Sequence, residues 1–183
     1  MNGLSKKEKT RMTIMHAAKG LFEQYGLDSV TFSQIADEAD VCRTTVFNHF
    51  SDTCELMLAL TCQEVEDVRE HCRQAGAEGT ELIYTLFDKL IEDAAYYPSL
   101  TSRLINNAIL NSEEDNPIRT IEKITVSGLE KEYPQDQSGR LCMLICGAFY
   151  GLINHYHVNN LNFDAGQMKA EFRELLASIL IKK

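Results

Sequence analysis

Twenty residues, TFSQIADEADVCRTTVFNHF (31–50), restrict this chain more than any other stretch. Thr31-x-x-Gln34 is a capping box, and Phe32, Ile35, Ala36 and Ala39 form a short helical stripe behind it. A break around Asp40 to Cys42 separates it from a second short helix, in which Val46 and Phe50, four apart, face inward. That turns Arg43, Thr44, Phe47 and Asn48 outward, with Thr45 and His49 beside them. Two such helices make a poor catalytic site but a good mount for one helix in a DNA groove. Arg can bond guanine in bidentate fashion, while Thr and Asn can reach base edges or phosphate. Backbone N–H groups around Thr31 and Phe32 offer a phosphate cradle, and Lys6, Lys7, Lys9 and Arg11 a basic arm along the DNA. The plainer reading, a short polar helix showing its side chains to solvent, stays open on these residues alone.

Helical periodicity continues almost throughout. Ile14, Ala17, Ala18, Leu21, Phe22 and Tyr25 form a stripe stopped by Gly26. Asp52-x-x-Glu55 opens a long helix to about Arg73, and Gly76 and Gly79 mark a loop. Ile83, Leu86, Phe87, Leu90, Ile91 and Ala94 give a helix ending near Pro98, followed by another to about Asn111. Asn116-Pro117 starts the next, which Tyr133-Pro134 ends. Two long segments, Asp136 to Val158 and Asp164 to Ile181, close the chain. Few stretches alternate with period two, so the expected fold is all-α, about nine helices with no sheet. A three-helix domain over 1–51, with its helix-turn-helix at 31–50, precedes a helical bundle over 52–183.

The net charge of −9 is unevenly spread: residues 1–50 hold six Lys/Arg and six Asp/Glu, while 51–183 hold 12 and 21. Only the N-terminal part is thereby suited to a polyanion. No run approaches 18 consecutive apolar residues, and the N-terminus lacks the apolar core of a signal peptide, so a cytoplasmic protein that avoids membranes is expected. The six cysteines read as reduced thiols; Cys142-x3-Cys146 lies on one helix face and is no metal clamp, and no metal or other cofactor is expected. No GxSxG, Walker loop, GxGxxG or HExxH occurs, and nothing suggests an enzyme.

The order and spacing of Ile14, Ala17-Ala18, Leu21-Phe22, Gly26, Val30-Thr31, Ile35-Ala36, Ala39, Val41, Val46-Phe47, His49-Phe50 and Leu56 resemble the tetracycline-repressor (TetR) family of bacterial transcription regulators. The resemblance covers about residues 11–60. It implies that Thr45, Phe47 and His49 meet DNA, largely at phosphate, and that Arg43 and Thr44 read bases. Phe47 stands where the family most often has Tyr, Thr53 where it has a phosphate-binding Lys, Asp40 for a turn Gly and Cys42 for a capping Ser. The implied function is a ligand-responsive repressor that binds a palindromic operator as a dimer. The alternative is a non-catalytic helical module that binds a ligand or a protein, its DNA reader weakened.

In the body, Gly147-x3-Gly151 with Ile145 and Leu152, and the stripe Phe172, Leu175, Leu176 and Ile179, suit a four-helix interface between two copies. The same stripes would serve equally to bury one chain's own core. By the resemblance an unknown small-molecule effector binds in the body. Tyr84, Phe87, Tyr96, Tyr97, Arg103, Asn106, Asn107, Phe149 and Tyr150 supply aromatic walls and polar anchors for it.

Overall fold

The computed structural model describes residues 5–110 and 116–180, which form nine α-helices, one 3-10 turn and no strand. Helices α1 (Lys6–Tyr25), α2 (Phe32–Glu38) and α3 (Arg43–His49) precede α4 (Thr53–Ala75). Then come α5 (Gly79–Tyr96), α6 (Pro98–Leu110), α7 (Pro117–Leu129), α8 (Gln135–Val158) and α9 (Ala165–Ile179). The expected helix ends at Asn111 and Ile181 lie outside the described residues. The chain divides into two compact units, Met1–Gln63 and Glu64–Lys183, the division falling inside α4.

Capping chemistry sets most boundaries. Thr31 closes the reciprocal box with Gln34, and Asn116 accepts from the Ile118 N–H with Pro117 at the first helical position. Asp164 accepts from the Gln167 N–H at 2.8 Å. Gly26 stops α1 with φ 78°, a left-handed conformation natural to glycine. Three features depart from expectation. Ser5 and Glu8 form a capping box that starts α1 at Lys6. The box at Asp52 is not reciprocal, because the Glu55 carboxylate accepts from the N–H and hydroxyl of Ser51 instead, at 2.7 and 2.8 Å. Helix α7 ends at Leu129, short of Tyr133-Pro134, in a run of turns.

Unit 1 buries Ile14, Ala18, Phe22, Ile35, Ala36, Val46 and Phe50. Unit 2 is a bundle in which α5 packs on α6, α7 and α9, while α8 packs on α6, α7 and α9. Its core centres on Phe87, Phe149 and Phe172, with ring centroids 5.0 to 6.2 Å apart, at tilted or edge-on angles that suit aromatic quadrupoles. Helix α8 is long and apolar enough to cross a membrane by length and composition alone. Yet Leu141, Ile145, Phe149, Leu152, Ile153 and Tyr156 on it belong to the core of this unit.

Helices α5 and α7 approach closely at Gly128, where an added Cβ would lie 2.9 Å from the Gly79 carbonyl oxygen and 3.3 Å from Ile83. Two opposite results follow from two glycines in one unit. Gly128→Ala gains about 1 kcal/mol of helix propensity but pushes against backbone, where overpacking costs about 1–3 kcal/mol. Net destabilisation is expected in urea unfolding. Gly139→Ala in α8 meets nothing within 4 Å and should stabilise, by about 0.5–1 kcal/mol.

Candidate nucleic-acid interface

The turn between α2 and α3 decides where the outward side chains stand. Ala39 caps α2, Asp40 takes φ 51°, and the Val41 N–H bonds the Ala36 carbonyl at 3.0 Å while Asp40 N–H bonds Asp37 at 3.3 Å. That is a Schellman arrangement with Asp in the glycine position. A short polar side chain tolerates the left-handed region, so the turn survives the substitution. Cys42 then opens α3 without a side-chain capping bond. Its Sγ instead meets the Thr45 hydroxyl at 3.0 Å, and that contact holds the thiol below its usual range.

Val46 and Phe50 are fully buried, as their spacing predicts. Arg43, Thr44, Phe47 and Asn48 are exposed, and Thr45 and His49 are half-buried beside them. Phe47, 45% exposed, is braced from behind: its ring lies 5.0 Å from that of Phe32, and the Arg43 guanidinium stands 5.3 Å over it. Arg43 is thus laid along an aromatic face on the outer side of the helix.

Arg11 does not belong to a basic arm. Its Nη1 donates to the His49 carbonyl at 2.7 Å and its guanidinium sits 4.1 Å over the Phe50 ring. A cation on the last carbonyls of α3 satisfies a helix end and complements its dipole. Sequence reasoning missed this role, although Arg11 falls on the inner stripe, three residues before Ile14. Lys6, Lys7 and Lys9 are exposed in the first turns of α1, helical rather than extended, because the Ser5–Glu8 box nucleates the helix there. The Thr31 N–H is bonded to Gln34 Oε1 at 2.8 Å, within the capping box that opens α2.

Residues 14–60 match the family model for bacterial regulatory proteins of the tetR family. Over this segment the chain is similar to that family. Two curated relatives, both described as uncharacterized HTH-type transcriptional regulators of Mycobacterium tuberculosis, are 31% identical over 70 residues. The match takes in 38% of this chain and 37% of each relative's length. Solved structures share the whole fold. A TetR regulator from Rhodococcus sp. RHA1 aligns with TM-score 0.70 at 15% identity, covering 97% of this chain and 99% of that one. A TerR/AcrR-family transcriptional regulator from Aquifex aeolicus gives 0.71 at 20% identity, covering 93% and 99%. The Thermus thermophilus repressor FadR, solved with lauroyl-CoA, gives 0.60 at 21%, covering 94% and 96%.

In unit 2 the anticipated pocket residues separate. Phe87 and Phe149 are core, and Tyr84 is half-buried beneath the Arg173 guanidinium at 5.3 Å. Tyr96 is 74% exposed, edge-on to Tyr97, while Arg103 and Asn107 are exposed. Asn106 and Tyr150 do come together, in a recess of about 310 Å³ between α6 and α8 lined also by Ser102, Ile105, Ile109, Gly151, Ile153, Asn154 and His157. Burial raises the Tyr150 hydroxyl well above its usual range, so it stays protonated. Of the anticipated dimer residues, Ile145, Leu152, Phe172 and Leu176 are buried in this unit's core, Ile179 is half-buried against it, and Gly147, Gly151 and Leu175 are exposed.

His49 carries a pH signature. Its Nδ1 is buried without a partner, and desolvation first, then the charges of Arg11 and Lys7, lower its pKa below the ordinary 6.5. A lowered folded-state value means the fold prefers the neutral ring. Stability from this group is therefore complete above the unfolded value and is lost as pH falls through the folded one. Denaturant unfolding at pH 7.5 and at stepped values below about 6.5 should show an acid-side loss that shrinks in His49→Gln.

Proposed function

We propose that this chain is a transcriptional regulator that reads a palindromic DNA operator as a homodimer and responds to a small molecule bound in unit 2. The observation that carries the reading is the exposed row Arg43, Thr44, Phe47 and Asn48 on a helix whose opposite side is fully buried, within a segment matching the tetR family model. Arg43, on its aromatic rest, is the side chain suited to guanine; Thr44 and Asn48 suit base edges, and Thr45, Phe47 and His49 line the phosphate side. A phenylalanine at position 47 offers phosphate no hydroxyl, and Thr53 offers it no cation.

The second copy docks on the outer face of α8. Met143, Leu144 and Val158 are 68%, 52% and 65% exposed there, around Gly147 and Gly151, where nothing lies within 4 Å of an added Cβ. Leu175 of α9, 42% exposed, adds to this surface. Small residues four apart let helices approach closely, and two such faces related by a two-fold axis form a four-helix interface. A dimer places its two readers about 34–36 Å apart, one helical turn of DNA. The α6–α8 recess, apolar with amide and imidazole groups at its edges, is the effector site this reading favours. An effector that prefers one arrangement of the dimer shifts operator affinity by its differential affinity for the two states.

A second reading, a helical binding module with a decayed reader, draws on Cys42 and Thr53. Anisotropy with duplexes tiled across the DNA upstream of the coding region separates the two. Arg43→Ala should cost about 1–3 kcal/mol on the specific site and relax base preference. Equal, weak binding by wild type and Arg43→Ala at low salt would sink specific readout and leave the second reading. Thr53→Lys should tighten binding to all sequences and steepen the salt dependence by about one unit of log–log slope. Sedimentation of Met143→Glu/Leu144→Glu should give a monomer with unchanged helicity and weakened operator binding. A dimer surviving that double change would place the interface elsewhere.

A further inference from the structure

Two thiols meet inside unit 2. Cys142 and Cys146 stand one turn apart on α8, both buried, with their Sγ atoms 4.0 Å apart. Cys142 Sγ also donates to the Glu122 carbonyl on α7 at 3.7 Å. One turn further on the same face, the Tyr150 hydroxyl is buried with no hydrogen-bond partner. The Thr125 hydroxyl, which lies against the Cys146 thiol, donates to the Ile121 carbonyl at 2.8 Å. A buried phenol without a partner is costly and uncommon, and here it sits one turn along α8 from a close pair of sulfurs.

The pair suits some thiol chemistries and not others. Zinc takes four ligands, and among the described residues no group of three or more His, Cys, Asp or Glu is placed to hold a metal ion. A disulfide needs Cβ atoms about 3.8 Å apart, whereas helix positions i and i+4 hold them roughly 5–6 Å apart. Oxidation would have to distort the turn. A single ion held between two sulfurs asks for much less. Metal–thiolate bonds of about 2.3 Å span at most about 4.6 Å across a two-coordinate ion. Separated by 4.0 Å, these sulfurs need open by only a few tenths of an ångström, or bend about the ion. Soft thiolate donors in a dry site select Cu(I) among biological metals.

We propose that Cys142 and Cys146 form a two-coordinate site for a soft monovalent cation of the Cu(I) class. Two S–H bonds break, two metal–sulfur bonds form, and both protons leave to solvent; no oxidation state changes. The bound unit carries one net negative charge in an apolar interior, which needs a donor. Tyr150 supplies it. Its hydroxyl, idle with the neutral thiols, donates to the thiolate of Cys146 one turn before it, the outer-shell contact that tunes metal sites.

The test is anaerobic titration of the reduced full-length protein with Cu(I) against bathocuproine disulfonate, with Ag(I) as a redox-inert parallel. Wild type should retain one equivalent, and X-ray absorption should report two sulfur neighbours and nothing else at bonding distance. Cys142→Ala and Cys146→Ala should each lose that equivalent, while the combined Cys42→Ser, Cys54→Ser and Cys62→Ser variant keeps it. Tyr150→Phe should bind about 10- to 100-fold more weakly. Should the alanine variants fail to fold, Ag(I) must still shield the two thiols of wild-type peptide 141–169 from alkylation ahead of the exposed cysteines. Loss of the whole equivalent to the chelator by wild type, its retention without the buried thiols, or an ion with three or more ligands would each overturn the site. Occupancy is measured on protein alone, so the result is independent of any DNA reading.

Discussion

Helices of seven residues are unstable by themselves, and both helices of the reading motif are that short. Everything the motif does depends on contacts that hold it from behind. Val46 and Phe50 anchor α3 in the core of unit 1, Phe32 braces Phe47, and Arg11 ties down the far end of the helix. The exposed row is left without structural duties apart from Phe47, which serves both sides. That division of labour leaves Arg43, Thr44 and Asn48 replaceable at little risk to the fold.

Much of the architecture was legible because it rests on local rules. Thr31, Asn116-Pro117, Asp164 and Gly26 mark helix ends through bonds to residues two to four positions away, and a sequence displays such neighbours directly. The row on α3 was legible for the same reason: two apolar residues four apart fix its opposite side. Partners distant in sequence were not. Arg11 and the His49 carbonyl are 38 positions apart, so a basic residue near the N-terminus looked like part of an arm. The body aromatics failed differently. A phenylalanine lining a pocket and one filling a core carry the same periodicity, and only packing shows that Phe87 and Phe149 close on Phe172.

Electrostatics sharpens the expected mode of DNA recognition. Unit 1 holds six Lys/Arg against eight Asp/Glu, for a net charge of −2, and one of its cations, Arg11, already has internal partners. Non-specific attraction through phosphate is therefore modest, since it grows with the number of cations presented. For the DNA-reading role proposed above, discrimination then rests more on base contacts than on attraction to phosphate.

The contact at Gly128 has a mechanical meaning. A helix held against a neighbouring backbone carbonyl with no side chain between them has no room to slide or roll inward. Side-chain layers can shear by changing rotamers; a backbone-to-backbone seat cannot. Helices α5 and α7 therefore move as one body, and deformation of unit 2 must go to its other joints.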